Sequence, residues 1–144
     1  MNIVIDIDNT KLTSKMRKEE FECIFLNANL KKYDNIYEYS MSGVIFQMNY
    51  LSDIVVYFKN NTIIQLSVFP AKEKINSNKF NLEESYNNYN KALERIYGKK
   101  LSNIFGKRKI WHFSDAILKH YLLERFCIEE RIEVLFKNNI NFTK

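Results

Sequence analysis

The stretch IVVYFKNNTIIQLSVFP, residues 54–70, decides the fold class of this chain. It consists of two runs rich in β-branched and aromatic residues, which favour strands, joined by a short polar turn. Asn60 and Asn61 tolerate the left-handed backbone that a tight hairpin turn requires. Pro70 ends the second run because it has no backbone N–H to donate to a ladder. An antiparallel hairpin is therefore predicted, with strands at Ile54–Phe58 and Thr62–Phe69.

Strand-like patterns also precede this hairpin. Residues 2–7 are nearly all isoleucine, valine or aspartate, which fits a short strand followed by a turn-like DNT. From residue 36 onward, apolar and polar residues alternate. The alternating apolar residues are Tyr37, Tyr39 and Met41, followed by Val44, Phe46, Met48 and Tyr50. Together with the hairpin, this region predicts three antiparallel strands.

One helix is predicted before these strands and one after them. Residues 14–30 carry apolar side chains at helical spacing, and Ser14 is the expected cap. Residues 82–97 show the same spacing with clearer ends. Asn81 is followed by an acid three residues later, which is typical of a helix start, and Gly98 provides a left-handed stop.

The last third of the chain supports two interpretations. RKIWHF, residues 108–113, predicts a strand, and RIEVLFK, residues 131–137, predicts a closing strand. Between them, SDAILKHYLLERF fits a helix capped by Ser114, with an extended hairpin as the alternative. We expect a single α+β domain over residues 1–144, an antiparallel sheet with helices packed on it, whose second face is left to a partner or to solvent.

Composition restricts the class of protein. The chain has 144 residues, 46% of them hydrophobic, which is enough to form a core, and it has no apolar run of the roughly 20 residues that a membrane helix needs. A cytoplasmic protein is expected, without contact to a membrane. Cys23 and Cys127 lie in apolar stretches without CxxC spacing, so buried free thiols are expected rather than a disulfide or a zinc site.

The aromatic residues fit an interface and a core equally well. Tyr33, Tyr37 and Tyr39 have polar neighbours, and we expect them to be exposed. Trp111, between Ile110 and Phe113, is expected to be structural.

The basic residues are concentrated in one segment. The segment GKKLSNIFGKRK, residues 98–109, contains five basic residues and no acid. Its charge of +5 equals the formal net charge of the whole chain. Such a loop attracts phosphates or an acidic protein surface, or is simply solvated. Nucleic-acid binding through this loop, with Phe105 and Trp111 as stacking platforms, is an alternative function. This alternative is weakened because no predicted strand carries a basic-aromatic RNA-binding motif.

The opening sequence NIVIDIDNT resembles the first motif of the haloacid-dehalogenase phosphatases. Asp6, Asp8 and Thr10 match that motif, and the resemblance implies a nucleophilic and an acid/base aspartate with magnesium between carboxylate and phosphate. It also implies a parallel α/β sheet and a later pair of acids. The rest of the sequence departs from both, so phosphatase activity remains a lesser alternative to a short acidic turn.

The two histidines lie near two carboxylates in sequence. This constellation consists of His112, Asp115, His120 and Glu124. It matches no established zinc spacing, and a ribonuclease using the histidines as acid and base has equally little support. The simpler interpretation is an ordinary i, i+4 pair of His120 and Glu124 on a helix. No metal and no cofactor is therefore expected.

The C-terminal stretch IWHFSDAILKHYLLERFCIEERIEVLF, after a strand meander and an amphipathic helix, resembles small bacterial immunity proteins of polymorphic and contact-dependent growth inhibition toxins. The resemblance implies a non-catalytic protein that binds and neutralises a cognate toxin domain, such as a nuclease. It carries no residues across, so the partner-binding residues are predicted from charge alone. They are the basic Lys99, Lys100, Lys107, Arg108 and Lys109, and the acidic Glu124, Glu129 and Glu130.

Overall fold

The computed structural model describes residues 1–99, 108–123 and 129–137, and these residues form nine strands and three helices. In chain order the elements are β1 (Ile5–Ile7), β2 (Thr10–Leu12), α1 (Lys18–Ile24), β3 (Asn29–Tyr33), β4 (Ile36–Gly43), β5 (Ser52–Lys59), β6 (Thr62–Pro70), α2 (Lys72–Ile75), α3 (Leu82–Tyr97), β7 (Arg108–His112), β8 (Ala116–Leu123) and β9 (Glu129–Phe136). The predicted α+β class is confirmed, with helices packed on an antiparallel sheet. No helix in the described ranges is long and apolar enough to cross a membrane.

Seven of the strands form one antiparallel sheet in the order β3-β4-β5-β6-β9-β8-β7. It consists of two meanders, β3 to β6 and β7 to β9. They join where Gln65–Val68 of β6 pairs with Ile132–Leu135 of β9. The chain leaves β6, passes through α2 and α3, and enters the second meander at its far edge. Strands β1 and β2 form a separate hairpin.

The hydrophobic core lies on one face of this sheet. Burial alternates along β5 and β9, which is the period of a strand with one covered face. The covered, inner face carries Ile54, Val56, Phe58, Ile132, Val134 and Phe136. Helix α1 contributes Phe21, whose ring lies 5.4 Å from that of Phe58, and α3 contributes Tyr89 and Leu93. We call the opposite side the outer face, and its residues on β5 and β9 are partly exposed.

The strongest local predictions are confirmed. The β5–β6 hairpin forms as expected, with Asn60 at a φ of 53° in its turn. Helix α3 begins at Leu82, where the Asn81 side chain accepts a hydrogen bond of 3.0 Å from the Glu84 backbone N–H. Gly98 ends the helix at a φ of 97°. These elements are specified by residues next to one another in sequence.

Helix α1 is shorter than predicted. It begins at Lys18 rather than near Ser14, and its first turn is closed by the Arg17 backbone N–H, which donates to the Glu20 carboxylate. It ends at Ile24, because the chain must turn to place β3 beside β4. Cys23, on this short helix, is exposed rather than buried.

Two further predictions are wrong. Residues 44–50 form a loop rather than a strand, since Phe46 and Gln47 both have a φ of 57°, which a strand does not allow. The expected helix over 114–126 is strand β8 as far as Leu123, so the alternative hairpin is the correct interpretation. Strand β8 is the central strand of the second meander, and its pairing with β7 on one side and β9 on the other leaves no room for a helix there. Cys127 and the end of this segment lie outside the described residues.

The exposure predictions for the aromatic residues are confirmed in part. Tyr33 is exposed and Tyr37 is half-buried, but Tyr39 is buried, and its hydroxyl donates to the Glu22 carboxylate. Trp111 is buried, as expected, and its Nε1–H donates to the Gly98 carbonyl at 2.9 Å.

Candidate functional site

A groove of about 820 Å³ lies at one end of the sheet. Its lining comes from five neighbouring strands, β3, β4, β5, β6 and β9, and from the segment that links β6 to α3. The polar lining includes Asn29, Ser42, Asp53 and Glu129. The apolar lining includes Val55, Phe69, Ile75 and Phe80. A volume of this size accommodates a small molecule or several side chains of a protein partner.

Strand register explains why distant residues meet in this groove. Asn29 is opposite Ser40, and Asp53 is opposite both Ser42 on β4 and Phe69 on β6. Residues directly opposite one another in an antiparallel pair have their side chains on the same face. The outer face therefore contributes a continuous row of lining residues across several strands.

One part of the groove lies where β6 and β9 separate, since Phe69 and Pro70 of β6 and Glu129 and Glu130 of β9 all line it. Strand β6 pairs with β5 as far as Pro70, but its pairing with β9 ends at Val68 and Ile132. Pro70 cannot donate a ladder hydrogen bond, which favours this separation. Beyond the last pair, the Arg131 guanidinium lies 5.2 Å from the centre of the Phe69 ring.

Carboxylates outnumber cations in the lining. Asp53, Glu129 and Glu130 line the groove, with Lys72 as the single lysine or arginine among its lining residues. Asp53 accepts a hydrogen bond of 3.1 Å from the Lys72 backbone N–H, and Glu129 pairs with Arg131 at 2.9 Å. Both side chains remain partly exposed. The groove thus offers an apolar surface bordered by negative charge.

Glu130 connects the groove to a buried polar cluster. Its Oε2 accepts a hydrogen bond of 2.6 Å from His120 Nε2, and its Oε1 accepts one of 2.5 Å from the Ser85 hydroxyl. The other ring nitrogen of His120, Nδ1, lies 2.6 Å from Asn90 Oδ1. The Tyr86 ring stacks on the imidazole at 4.2 Å. We call His120, Glu130, Ser85 and Asn90 the His120 cluster.

The His120 cluster is enclosed. His120 is fully buried and Glu130 is 2% exposed. Burial lowers the pKa of His120, although the neighbouring Glu130 carboxylate acts in the opposite direction. The Ser85 hydroxyl donates to Glu130 and not to the histidine, so the cluster lacks the serine-to-histidine bond that activates a nucleophile. Its contacts instead tie α3 to β8 and β9.

Three of the five basic residues predicted from sequence lie among the described residues. Lys99 and Arg108 are exposed on either side of the undescribed residues 100–107, which include Lys100 and Lys107. The Lys109 ammonium instead pairs with Glu94 of α3 at 2.6 Å. The Lys109 ammonium, which was predicted to bind a partner protein, thus has an acidic partner within this chain.

The predicted acidic residues have three different outcomes. Glu129 lines the groove and is partly exposed, whereas Glu130 is directed into the His120 cluster. Glu124 lies outside the described residues. Adjacent positions on a strand point to opposite faces, which explains why neighbouring glutamates have such different surroundings.

The motif that resembles the phosphatases forms a hairpin turn. Asp8 and Asn9 have φ values of 50° and 66°, and Ile7 pairs with Thr10 around them. Asp6 accepts a hydrogen bond from the Asn9 backbone N–H at 3.0 Å, and Asp8 accepts one from Val44 at 2.8 Å. Both carboxylates thus stabilise loops. The sheet is antiparallel, unlike the parallel sheet that the resemblance implies.

The predicted histidine constellation is dispersed. His112 is exposed at the end of β7, and Asp115 accepts a hydrogen bond of 2.9 Å from the Ile3 backbone N–H. His120 is paired with Glu130, and Glu124 lies outside the described residues. Within residues 1–99, 108–123 and 129–137, no three histidine, cysteine or acidic side chains are grouped so that they could hold a metal ion.

Sequence reasoning missed most of the groove. Ser42, Asp53 and Phe69 belong to strands that were predicted, at least in part, and the β5–β6 hairpin was predicted as well, but no sequence signal places β3 and β9 at the same groove. The partial separation of β6 from β9 could have been suspected only from Pro70. No protein-family model, no curated protein and no solved structure matches this chain. Function is therefore inferred from the groove and from the surface beside it.

Proposed function

We propose that this chain is a non-catalytic protein-binding module of the cytoplasm, and most concretely an immunity protein that binds and neutralises a toxin domain such as a nuclease. The observation that supports this proposal is the groove on the outer face, which combines apolar side chains with carboxylates. Protein interfaces have the same general composition, an apolar centre within a polar rim.

The charge of the groove suggests which partner surface it fits. Asp53 on β5 and Glu129 on β9 are spaced apart by the intervening strand β6. Two carboxylates at this spacing can bind separate arginine or lysine side chains of a basic surface. A nuclease has such a surface where it holds phosphate, so occupying it would block the enzyme.

The His120 cluster supports binding rather than catalysis as the role of this end of the sheet. Its four side chains form one chain of hydrogen-bond contacts that runs from Ser85 through Glu130 and His120 to Asn90. The histidine has no exposed surface. A general base must reach the proton that it abstracts. The cluster instead fixes the position of β9, and with it the position of Glu129.

The first experiment purifies the tagged chain from its native host at moderate salt and identifies bound molecules by mass spectrometry and by the absorbance ratio at 260 and 280 nm. We expect one stoichiometric protein and a spectrum without nucleic acid. Expressed alone, that protein should arrest growth, and co-expression of the chain should restore it. Nucleic acid without a dominant protein would favour the alternative of binding through residues 98–109.

Two arginine variants test the groove itself. Ser42→Arg places a bulky cation in the groove at an exposed position, and Asn87→Arg makes a matched change on the exposed side of α3. We expect Ser42→Arg to weaken partner binding by about tenfold or more and to abolish protection, because it repels a basic partner. Asn87→Arg should behave as wild type. Equal binding by both variants would exclude the groove as the partner surface.

A further inference from the structure

Strand β3 is an open edge of the seven-stranded sheet. It pairs with β4 on one side and is the first strand in the sheet order, and all five of its residues are exposed. An edge strand presents alternate backbone N–H and C=O groups to its surroundings. Within the part of the chain that the structure describes, β3 is therefore available for a further strand.

Exposed apolar side chains are concentrated beside this edge. Eight large hydrophobic residues are exposed among the described residues, and four of them lie within 24–33. These are Ile24, Leu26, Leu30 and Tyr33, which we call the β3 patch. Leu26 is 80% exposed and Tyr33 is 55% exposed. Leu30 and Tyr33 lie on opposite faces of β3, so a strand added at this edge would meet an exposed apolar side chain on either face.

The charge of β3 restricts what can pair with it. Its sequence, NLKKY, contains Lys31 and Lys32 and no acid. Lysines on an edge strand oppose pairing between two copies of the same edge, because like charges would then lie close together. A strand that carries acidic residues would be attracted by the same lysines. The edge therefore favours an acidic segment of another protein over a second copy of this chain.

We infer that β3 is a docking edge to which an extended acidic segment of a protein partner adds as a further strand. This inference rests on the proposed function, because it assigns how the protein partner is held. Asn29, at the start of β3, also lines the groove, so the added strand would be continuous with the groove surface.

The register of β3 specifies the pattern of the added strand. Leu30 is opposite Tyr39, which places its side chain on the inner face, together with that of Lys32. Lys31 and Tyr33 point to the outer face. The partner segment should carry an apolar residue beside Leu30 and acidic residues beside Lys31 and Lys32. Main-chain hydrogen bonds would provide affinity, and these side chains would provide selectivity.

Synthetic peptides test this inference without the natural partner. The probe is an acidic peptide of about nine residues, with two adjacent glutamates flanked by alternating valine and threonine. One control replaces the glutamates with lysines, and a second carries backbone N-methyl groups that remove the hydrogen-bond donors. Binding is followed by NMR titration of the labelled chain and by amide hydrogen exchange.

We expect the acidic peptide to shift the amide signals of residues 29–33 and to slow the exchange of alternate amides there. Both control peptides should bind about tenfold more weakly. The double variant Lys31→Glu, Lys32→Glu should reverse the preference, favouring the lysine peptide. Lys91→Glu, an exposed change on α3, should leave the preference unaltered.

Three results would overturn the inference. They are no change at residues 29–33 with millimolar acidic peptide, equal binding of the N-methylated peptide, and dimerisation of the chain alone through β3. Since the peptides replace the natural partner, failure here is distinguishable from failure to capture a toxin. A captured partner that leaves the exchange of residues 29–33 unchanged would support the proposed function and overturn the docking edge.

Discussion

At the scale of single residues, neighbouring glutamates have opposite roles. Glu129 and Glu130 follow one another at the start of β9, and the strand's alternation directs the Glu129 side chain to the outer face and the Glu130 side chain to the inner face. The Glu130 carboxylate is bound to His120 and Ser85, whereas Glu129 forms a partly exposed pair with Arg131. The same type of side chain is buried in one position and partly exposed in the next.

This difference predicts very different costs of truncation. Glu130→Ala removes the acceptor for His120 and Ser85 inside the protein, and we expect it to lower the free energy of unfolding by about 3 kcal/mol. Glu129→Ala breaks a partly exposed pair and should cost less than about 1 kcal/mol. Denaturant unfolding of both variants measures the contrast. A loss for Glu130→Ala as small as the one expected for Glu129→Ala would mean that the His120 cluster contributes little to stability.

The buried histidine predicts a pH dependence. Because burial lowers the pKa of His120 in the folded protein, the unfolded chain binds a proton more readily than the folded one. This part of the stability is complete above the unfolded pKa of about 6.5 and is lost as pH falls from there toward the lower folded pKa. The wild-type free energy of unfolding should therefore fall between about pH 8 and pH 5.

Two matched variants separate the contribution of the His120 imidazole to this pH dependence of stability from the contribution of the carboxylates. His120→Gln keeps a neutral hydrogen-bonding side chain in the His120 cluster, and it should show a smaller decline over the same pH range. His112→Gln, at an exposed position on β7, should retain the wild-type decline. If the His120→Gln curve were parallel to the wild-type curve, the buried imidazole would not be the group that titrates.

At the scale of elements, sequence predicted what is specified locally. The β5–β6 hairpin and α3 have turn and capping residues next to the periodic segment, such as Asn60 and Asn81, and both elements form where predicted. Helix α1 was predicted too long, because Phe25 and Ala28 continue the apolar spacing of Phe21 and Ile24 beyond the point where the chain turns into β3. Local spacing does not reveal that a neighbouring strand competes for the same residues.

Strand β8 shows why periodicity alone was insufficient. The segment 116–123, AILKHYLL, fits either a helix or a buried strand in its apolar content. The segment forms a strand because it pairs with both β7 and β9, and this pairing places Leu118 and His120 on the inner face. His120 thereby lies on the same face of the sheet as Glu130, its hydrogen-bond partner. The error in element type was thus also an error about the polar cluster.

The groove could not be predicted even from correct elements. It depends on which strands are neighbours, on the register that aligns Asp53 with Ser42 and Phe69, and on the point where β6 and β9 separate. These are properties of the assembled sheet. Glu129, named from charge as a partner-binding residue, lines this groove, and its role in binding stays a prediction.

At the scale of the whole molecule, two meanders share one core. Strands β6 and β9 are distant in sequence and adjacent in the sheet, and α3 spans the connection through its bonds to His120 and Glu130. Trp111 lies on β7, at the outer end of the second meander, and its indole N–H is bound to the carbonyl that follows α3. Neither meander completes the hydrophobic core without the other.

This arrangement predicts a single cooperative unfolding transition. The one tryptophan of the chain reports on the second meander, whereas far-UV circular dichroism reports on all strands and helices. We expect the fluorescence and circular-dichroism transitions in denaturant to have the same midpoint, since losing the β6–β9 pairing exposes core residues of both meanders. An earlier fluorescence transition would show that β7, β8 and β9 unfold as a separate unit. In that case α3 and the His120 cluster would hold the two meanders together too weakly to make them one folding unit.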